Sequence, residues 1–292
     1  MTRIIEWLAD VSDDYDGVFC DVWGVIHNGL VPNIESCRAL NRAIGTGVPV
    51  LLLTNSPRRA TDVERQIGEI GVPEDCWNFI VTSGDSARDA LFRGEVGKRL
   101  FHIGPDSAKS FLSPDFGSNG NPREIDCVSF NEAEGIVCTG LFDDTTETPD
   151  DYRSLLADAV KRGMKLLCAN PDIVVDRGSK RLYCAGALAV LFEELGGKSL
   201  MFGKPRRRIY DLAKRRLRAM LPDISNPRIL CIGDGITTDI AGAQNQSLDS
   251  LFVTGGLAAE ETATIRQPDP EKLRSVLAAA GVNPKFAIGH LR

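Results

Sequence analysis

Several polar residues of this 292-residue chain come directly after short apolar runs, where a buried strand would end. In an open parallel sheet, ligands bind beyond the carboxyl ends of the strands, so we expect these side chains to gather at one edge. They are Asp21 after "VFC", Thr54, Asn55 and Ser56 ending "LLLTNS", Lys204 in "LMFGKP", and Asp234 after "ILCIG" with Asp239 five residues later.

This set of side chains suits one kind of chemistry. Carboxylates grouped at one edge repel each other unless a cation neutralises them, and Mg²⁺ prefers such oxygen ligands, with a phosphate oxygen often completing its shell. A lysine and a hydroxyl bind phosphate oxygens by charge and hydrogen bonding. Helix N-termini expected after Ser56 and Gly235 would add N–H donors. The simplest supported reaction is attack of a carboxylate on phosphorus, which gives an aspartyl-phosphate.

Each residue alone has an ordinary explanation. An aspartate at a strand end is most often a turn former or helix cap, and the lysine of "GKP" would merely precede a helix. The occurrence of all of them at the ends of apolar strands is what favours a common site.

Strand-like and helical segments alternate along the chain, which predicts parallel α/β units covered on both faces of the sheet. Predicted strands are 17–21, 48–54, 78–82, 100–104, 126–130, 135–139, 165–169, 199–203, 228–233 and 249–254. Predicted helices are 34–45, 57–70, 85–93, 148–162, 184–195, 205–221, 237–245 and 269–280. The segment 113–124 reads as a surface loop. No linker separates sequential domains, which indicates that one domain is inserted in another.

Composition excludes several classes of protein. The formal net charge of -6 gives no general attraction to nucleic acid or anionic membrane. The basic run 204–220 has apolar residues at helical spacing, so we interpret it as an amphipathic core helix. Neither a signal peptide nor a membrane span is recognisable, and we expect a cytoplasmic protein. The eight scattered cysteines form no C-x-x-C pair and the three histidines do not cluster, so zinc and disulfides are not expected.

The order of "DVWGV", "LLLTNS", "GKP" and "GDGITTD" resembles the haloacid dehalogenase-like (HAD) phosphohydrolase superfamily. The long interval between Asn55 and Lys204 is similar to class II members, which carry an inserted cap domain. Within that class, "SGDSA" at 83–87, "CANPD" at 168–172 and "YCAGALA" at 183–189 resemble the class IIA branch. That branch includes nucleotide monophosphatase-like, pyridoxal-phosphate phosphatase-like and para-nitrophenylphosphatase-like enzymes.

The resemblance implies a Rossmannoid three-layer parallel-sheet core at 1–86 and 182–292, with an inserted α/β cap at 87–181. It implies that Asp21 is the nucleophile, that Thr54 and Asn55 hold the phosphoryl oxygens, and that Lys204 bridges nucleophile and phosphate. Mg²⁺ would be bound by Asp21, Asp234 and the main-chain carbonyl of Trp23, with Asp239 orienting the water shell or Lys204. The cap loop of Asn170, Pro171 and Asp172 would face the site and contact the leaving group.

Position 23 departs from the pattern, because active phosphatases of this superfamily usually carry Asp there as general acid and base. The indole N–H of Trp23 donates but does not titrate, so it cannot fill that role, and losing such a group typically costs about 10²–10⁴ in rate. Three interpretations stay open: a phosphatase with its acid elsewhere or suited to good leaving groups, a slow or repurposed binding protein, and a different chemistry of the superfamily. His27 is a candidate replacement acid, although a loop histidine without a role is the simpler interpretation.

We therefore expect a Mg²⁺-dependent phosphohydrolase acting on a small phosphorylated metabolite, such as a sugar phosphate or nucleotide monophosphate, through an aspartyl-phosphate. The alternative is a catalytically impaired phosphometabolite-binding or regulatory protein that keeps Mg²⁺ and phosphate binding. Neither nucleic acid nor membrane is an expected partner, and a homodimer is compatible with the resemblance.

Overall fold

A computed structural model of the chain describes residues 2–113, 125–177 and 180–292, and the predicted loop at 113–124 lies almost wholly outside them. The strands are β1 Arg3–Ile4, β2 Gly17–Cys20, β3 Val50–Thr54, β4 Phe79–Thr82, β5 Arg99–Ile103, β6 Asp126–Cys127, β7 Gly135–Cys138, β8 Lys165–Cys168, β9 Val174–Arg177, β10 Lys180–Tyr183, β11 Lys198–Met201, β12 Ile229–Gly233, β13 Asp249–Val253 and β14 Phe286–Ile288. The α-helices are α1 Ile34–Gly45, α2 Ala60–Ile70, α3 Ser83–Phe92, α4 Arg153–Lys161, α5 Ala185–Glu194, α6 Arg207–Met220, α7 Ala241–Asn245 and α8 Pro270–Ala280.

The larger sheet has the strand order β1-β14-β13-β12-β2-β3-β4, and all its neighbours pair in parallel. Alternate residues of its central strands enter two separate apolar clusters. Leu52 and Ile232 pack on the side of α1 and α2, whereas Leu51 and Cys231 pack on the side of α6. The sheet is therefore the middle of three layers, as strands buried on both faces require, and the predicted α/β class is confirmed.

A smaller parallel sheet has the order β11-β8-β7-β5-β6, and a separate antiparallel hairpin is formed by β9 and β10. This sheet is also covered on both faces, because Leu166 packs toward α4 and α5 while Leu167 packs toward α3. The predicted cap, residues 87–181, supplies every strand of the smaller sheet except β11. The domain boundaries at 86 and 181 stay predictions.

Two local predictions are wrong. The strand before Lys204 was expected at the common edge of one sheet, but β11 pairs with β8 in the smaller sheet. The helix expected from 57 begins at Ala60, where the Asp85 carboxylate accepts a hydrogen bond from the Ala60 N–H at 3.2 Å.

The basic helix α6 is amphipathic, as predicted. Ile209, Tyr210, Ala213 and Leu217 are buried against the larger sheet. Arg207 is exposed and lies 3.3 Å from Asp211 one turn later. None of the helices in the described ranges combines the length and apolar character that a bilayer crossing needs.

Candidate active site

A buried lysine joins two carboxylates at the centre of the site. The Lys204 Nζ donates to Asp21 Oδ1 and to Asp239 Oδ1, each at 2.6 Å, and all three side chains are buried. Burial raises the pKa of Asp21 and raises that of Asp239 to about 6, although Lys204 opposes both shifts. Burial alone would lower the pKa of Lys204, but the two carboxylates raise it, so the lysine stays charged.

A third carboxylate, Asp234, lies beside this pair and has no lysine of its own. Its Oδ2 accepts a hydrogen bond from the Leu257 N–H at 3.0 Å. Burial, together with the charges of Asp21 and Asp239, raises the pKa of Asp234 well above its ordinary value. A Cβ at Gly24 or Gly256 would lie only 2.2 or 2.0 Å from Asp234 Oδ2, so glycine at both positions lets the chain close around this carboxylate.

The donor set fits a hard divalent cation. Carboxylate oxygens of Asp21, Asp234 and Asp239 lie within 4.8 Å of one another, and one lysine offsets three buried acids. Asp239 Oδ1 is held by Lys204 and its Oδ2 accepts from the Gly235 N–H at 3.0 Å. Asp239 is therefore engaged by the protein, which suits an orienting role better than direct ligation. Asp21 and Asp234 remain the residues best suited to ligate Mg²⁺.

Thr54 and Asn55 lie beside Asp21 at the end of β3. The Thr54 hydroxyl accepts a hydrogen bond from the Ser56 N–H at 3.1 Å. Asn55 is fixed to the lysine segment, because its Oδ1 accepts from the Lys204 N–H at 2.6 Å and its Nδ2 donates to the Lys204 carbonyl at 3.1 Å. Both side chains line the same cavity as the carboxylate cluster.

The loop that follows β8 reaches this cavity from the smaller sheet. Asp172 Oδ1 accepts a hydrogen bond from Asn55 Nδ2 at 2.7 Å, and Asn170 Oδ1 accepts from the Asp172 N–H at 3.0 Å. Pro171 also lines the cavity. Burial raises the pKa of Asp172 to about 6. The predicted residues Asn170, Pro171 and Asp172 therefore lie with the strand-end residues, and their contact with a leaving group stays a prediction.

Trp23 lines the same cavity and contacts the hairpin. Its indole Nε1–H donates to the main-chain carbonyl of Asp176 in β9, and its ring meets the His27 ring edge-on at 5.1 Å between centroids. A Cβ at Gly29 would lie 2.5 Å from the Trp23 ring, so the turn closes tightly on the indole. Trp23 thus bridges the β2 loop and the hairpin, and its carbonyl as a metal ligand stays a prediction.

His27 does not have the properties of a replacement acid. Its Nδ1 accepts a hydrogen bond from the Gly29 N–H at 2.8 Å, which places the proton of the neutral ring on Nε2. Burial lowers the pKa of His27 to about 4, so the ring is neutral at pH 7. The residue packs under Trp23 and supports the turn.

Sequence reasoning missed contributors from two places. Leu257 and Gly256 follow β13 in "TGGLA", and the pair of glycines at a strand end was a usable signal. Ile173 to Asp176 also line the cavity, but nothing in the sequence marks them as site residues.

Comparisons with known proteins show which family this chain is similar to. A family model described as haloacid dehalogenase-like hydrolase matches residues 18–114, and one described as HAD-hydrolase-like matches 201–281. The crystal structure of a haloacid dehalogenase-like family hydrolase from Brucella suis 1330 is 40% identical, with a TM-score of 0.85 over 99% of this chain and 100% of that one. Ribonucleotide monophosphatase NagD of Escherichia coli K12 is 23% identical over 83% of this chain and 88% of its own length. A structure described as a possible sugar phosphatase from Cytophaga hutchinsonii, 19% identical, shares the fold with a TM-score of 0.74 over 99% and 98% of the two chains.

Proposed function

The chain belongs to the haloacid dehalogenase-like hydrolases, and from that premise we propose that it is a Mg²⁺-dependent phosphatase of a small phosphorylated metabolite. The observation that carries the proposal is the buried cluster of Asp21, Lys204, Asp234 and Asp239, which opens into a cavity of about 530 Å³. That volume suits a small-molecule substrate. The names of the relatives, a ribonucleotide monophosphatase and a possible sugar phosphatase, support a nucleotide monophosphate or sugar phosphate as substrate.

In this proposal the chain's own residues do the following work. Asp21 attacks the phosphorus atom through a carboxylate oxygen, and the bond to the leaving oxygen breaks, leaving an aspartyl-phosphate that water then hydrolyses. Lys204 holds Asp21 in place and offsets charge on the transferring group. Thr54 donates to its oxygens through the hydroxyl, and Asn55 does so through the main-chain N–H, because both hydrogens of its side-chain amide are already donated to Asp172 and to the Lys204 carbonyl. A bound Mg²⁺, held by Asp21 and Asp234, would neutralise charge on the phosphoryl oxygens.

Trp23 supports a second candidate function. Its indole N–H is occupied by the Asp176 carbonyl and carries no transferable proton, so it cannot act as the acid expected two residues after the nucleophile. A protein that binds Mg²⁺ and phosphate without turnover would keep every other feature of the site.

Turnover assays separate the two functions. Purified protein with Mg²⁺ is given 4-nitrophenyl phosphate and a panel of sugar phosphates and nucleotide monophosphates, and phosphate release is measured. Turnover by the wild type that is lost in Asp21→Asn and retained in the exposed control Asp223→Asn supports the phosphatase. Absence of turnover on the whole panel, with Mg²⁺-dependent binding of inorganic phosphate intact, supports the binding protein.

A further inference from the structure

Two cavities meet at the site, and four residues line both. The first, described above, holds the carboxylate cluster, and the second, of about 240 Å³, lies between the α2 region and the loops of the smaller sheet. The residues common to both are Trp23, Thr54, Asp172 and Val175. Consider a phosphate monoester with its phosphoryl group at Asp21 and its organic part in the second cavity. The oxygen that joins these two parts would lie between the four shared side chains.

Asp172 alone among these four side chains can exchange a proton near neutral pH, since indole, aliphatic and alcohol groups do not titrate there. The loop fixes its position: its carbonyl accepts from the Gly186 N–H at 3.1 Å, and its N–H is bound by Asn170. Its Oδ1 accepts from Asn55, whereas its Oδ2 receives no hydrogen bond from the described residues. One oxygen is therefore anchored and the other is available to a ligand.

We propose that Asp172 is the general acid and base of the reaction and takes the role that Trp23 cannot fill. This inference rests on the proposed function. In the first step Asp21 forms a bond to phosphorus, the bond from phosphorus to the leaving oxygen breaks, and the proton of the Asp172 carboxyl passes to that oxygen. In the second step water attacks phosphorus, its proton returns to Asp172, and the bond to Asp21 breaks to release phosphate and the free carboxylate.

The surroundings of Asp172 suit both protonation states. Burial raises its pKa to about 6, while Asn55 and the charge of Lys204 lower it and Asp239 raises it. The charged groups that line the second cavity are Arg58, Asp144 and Arg177. A carboxyl with a pKa of about 6 is protonated in a useful fraction of molecules near neutral pH, and it also accepts a proton readily.

A leaving-group series tests the assignment. Asp172→Asn keeps the size of the side chain and an oxygen that can accept from Asn55, and the exposed Asp223→Asn, which lines neither cavity, serves as the control. Both variants are compared with wild type on 4-nitrophenyl phosphate, phenyl phosphate and an alkyl phosphate. Thermal unfolding confirms that each variant is folded.

The expected result is a selective loss. In Asp172→Asn, kcat/KM falls about 10²–10⁴-fold for the alkyl phosphate and far less for 4-nitrophenyl phosphate, whose leaving group needs no proton. The same variant should release a burst of 4-nitrophenolate followed by slow turnover, because hydrolysis of the aspartyl-phosphate has lost its base. Asp223→Asn should show neither effect.

Equal losses across the series in Asp172→Asn, or no loss, would overturn the assignment while leaving the phosphatase intact, provided that wild type turns over and Asp21→Asn does not. A wild type that hydrolyses no phosphate ester would overturn the proposed function and this assignment together.

Discussion

The three buried carboxylates predict that a divalent cation stabilises the protein more strongly at pH 7.5 than at pH 5. The pKa of Asp239 is about 6, against an ordinary value of 3.8. Because the folded pKa is the higher one, folding binds a proton, and stability falls as pH rises from about 4 to 6. At about 1.36 kcal/mol per pH unit this difference corresponds to about 3 kcal/mol lost above pH 6 in the cation-free protein. A divalent cation would offset this loss by neutralising the charges of the buried carboxylates.

The size of the effect follows from mass action. At a free Mg²⁺ concentration of about 100 times its Kd at pH 7.5, stabilisation is about 2.7 kcal/mol. At roughly 2 °C per kcal/mol for a chain of this size, the Tm rises by about 5 °C. At pH 5 Asp239 is mostly protonated, and a cation bound by Asp21 and Asp234 nearby lowers its pKa and releases that proton. This linkage weakens binding about tenfold, so the same concentration gives about 1.4 kcal/mol and half the rise in Tm.

The assay is thermal unfolding in EDTA and in Mg²⁺ at both pH values, on wild type, Asp234→Asn and the exposed control Asp223→Asn. We expect the pH-dependent rise in Tm in wild type and Asp223→Asn and its loss in Asp234→Asn. A rise of equal size at pH 5 and 7.5, or one that persists in Asp234→Asn, would refute the assignment of this cluster as the cation site.

Three further outcomes are expected. Lys204→Met leaves two buried carboxylates without their partner and lowers the free energy of unfolding by about 3–5 kcal/mol at pH 7.5, measured in urea, with a smaller loss at pH 5. Trp23→Phe keeps an aromatic ring but removes the indole donor, which costs about 1 kcal/mol and speeds amide hydrogen exchange in the hairpin of β9 and β10; unchanged exchange would contradict this contact. Gly186→Ala places a Cβ 2.2 Å from the main-chain oxygen of Pro171 and should slow alkyl phosphate turnover, whereas Gly68→Ala, with nothing within 4 Å, should not.

The sequence was informative wherever a strand was apolar along its whole length. The runs that became β2, β3 and β12 are buried on both faces, so their positions and the polar residues after them follow from hydrophobicity alone. The hairpin was missed because β9 and β10 are short, carry charged residues and are mostly not buried. The strand that pairs with β11 could not be predicted for another reason, since "KSLM" has no feature that selects one parallel sheet over the other.

The site residues also divide into those that the sequence predicts and those that it does not. Asp21, Thr54, Asn55, Asp234 and Asp239 come from the ends of strands or loops of the larger sheet, where the edge rule applies. The contact of Trp23 with Asp176 joins residues 153 positions apart, and the bond from Asn55 to Asp172 joins residues 117 apart. Such contacts depend on how the two sheets meet, which local pattern does not encode.

The placement of Lys204 has a mechanical consequence. Met201 of β11 pairs with Cys168 of β8 in the smaller sheet, and three residues later the lysine is held by two ion pairs and two Asn55 hydrogen bonds at the edge of the larger sheet. A rotation between the two sheets that keeps these contacts would have its axis near this segment. Asp172 lies four residues beyond Cys168 and is therefore close to this axis. Strands β5 and β6, at the other edge of the smaller sheet, are far from it. A rotation that opens the site for substrate entry would therefore move β6 most and the carboxyl group of Asp172 least.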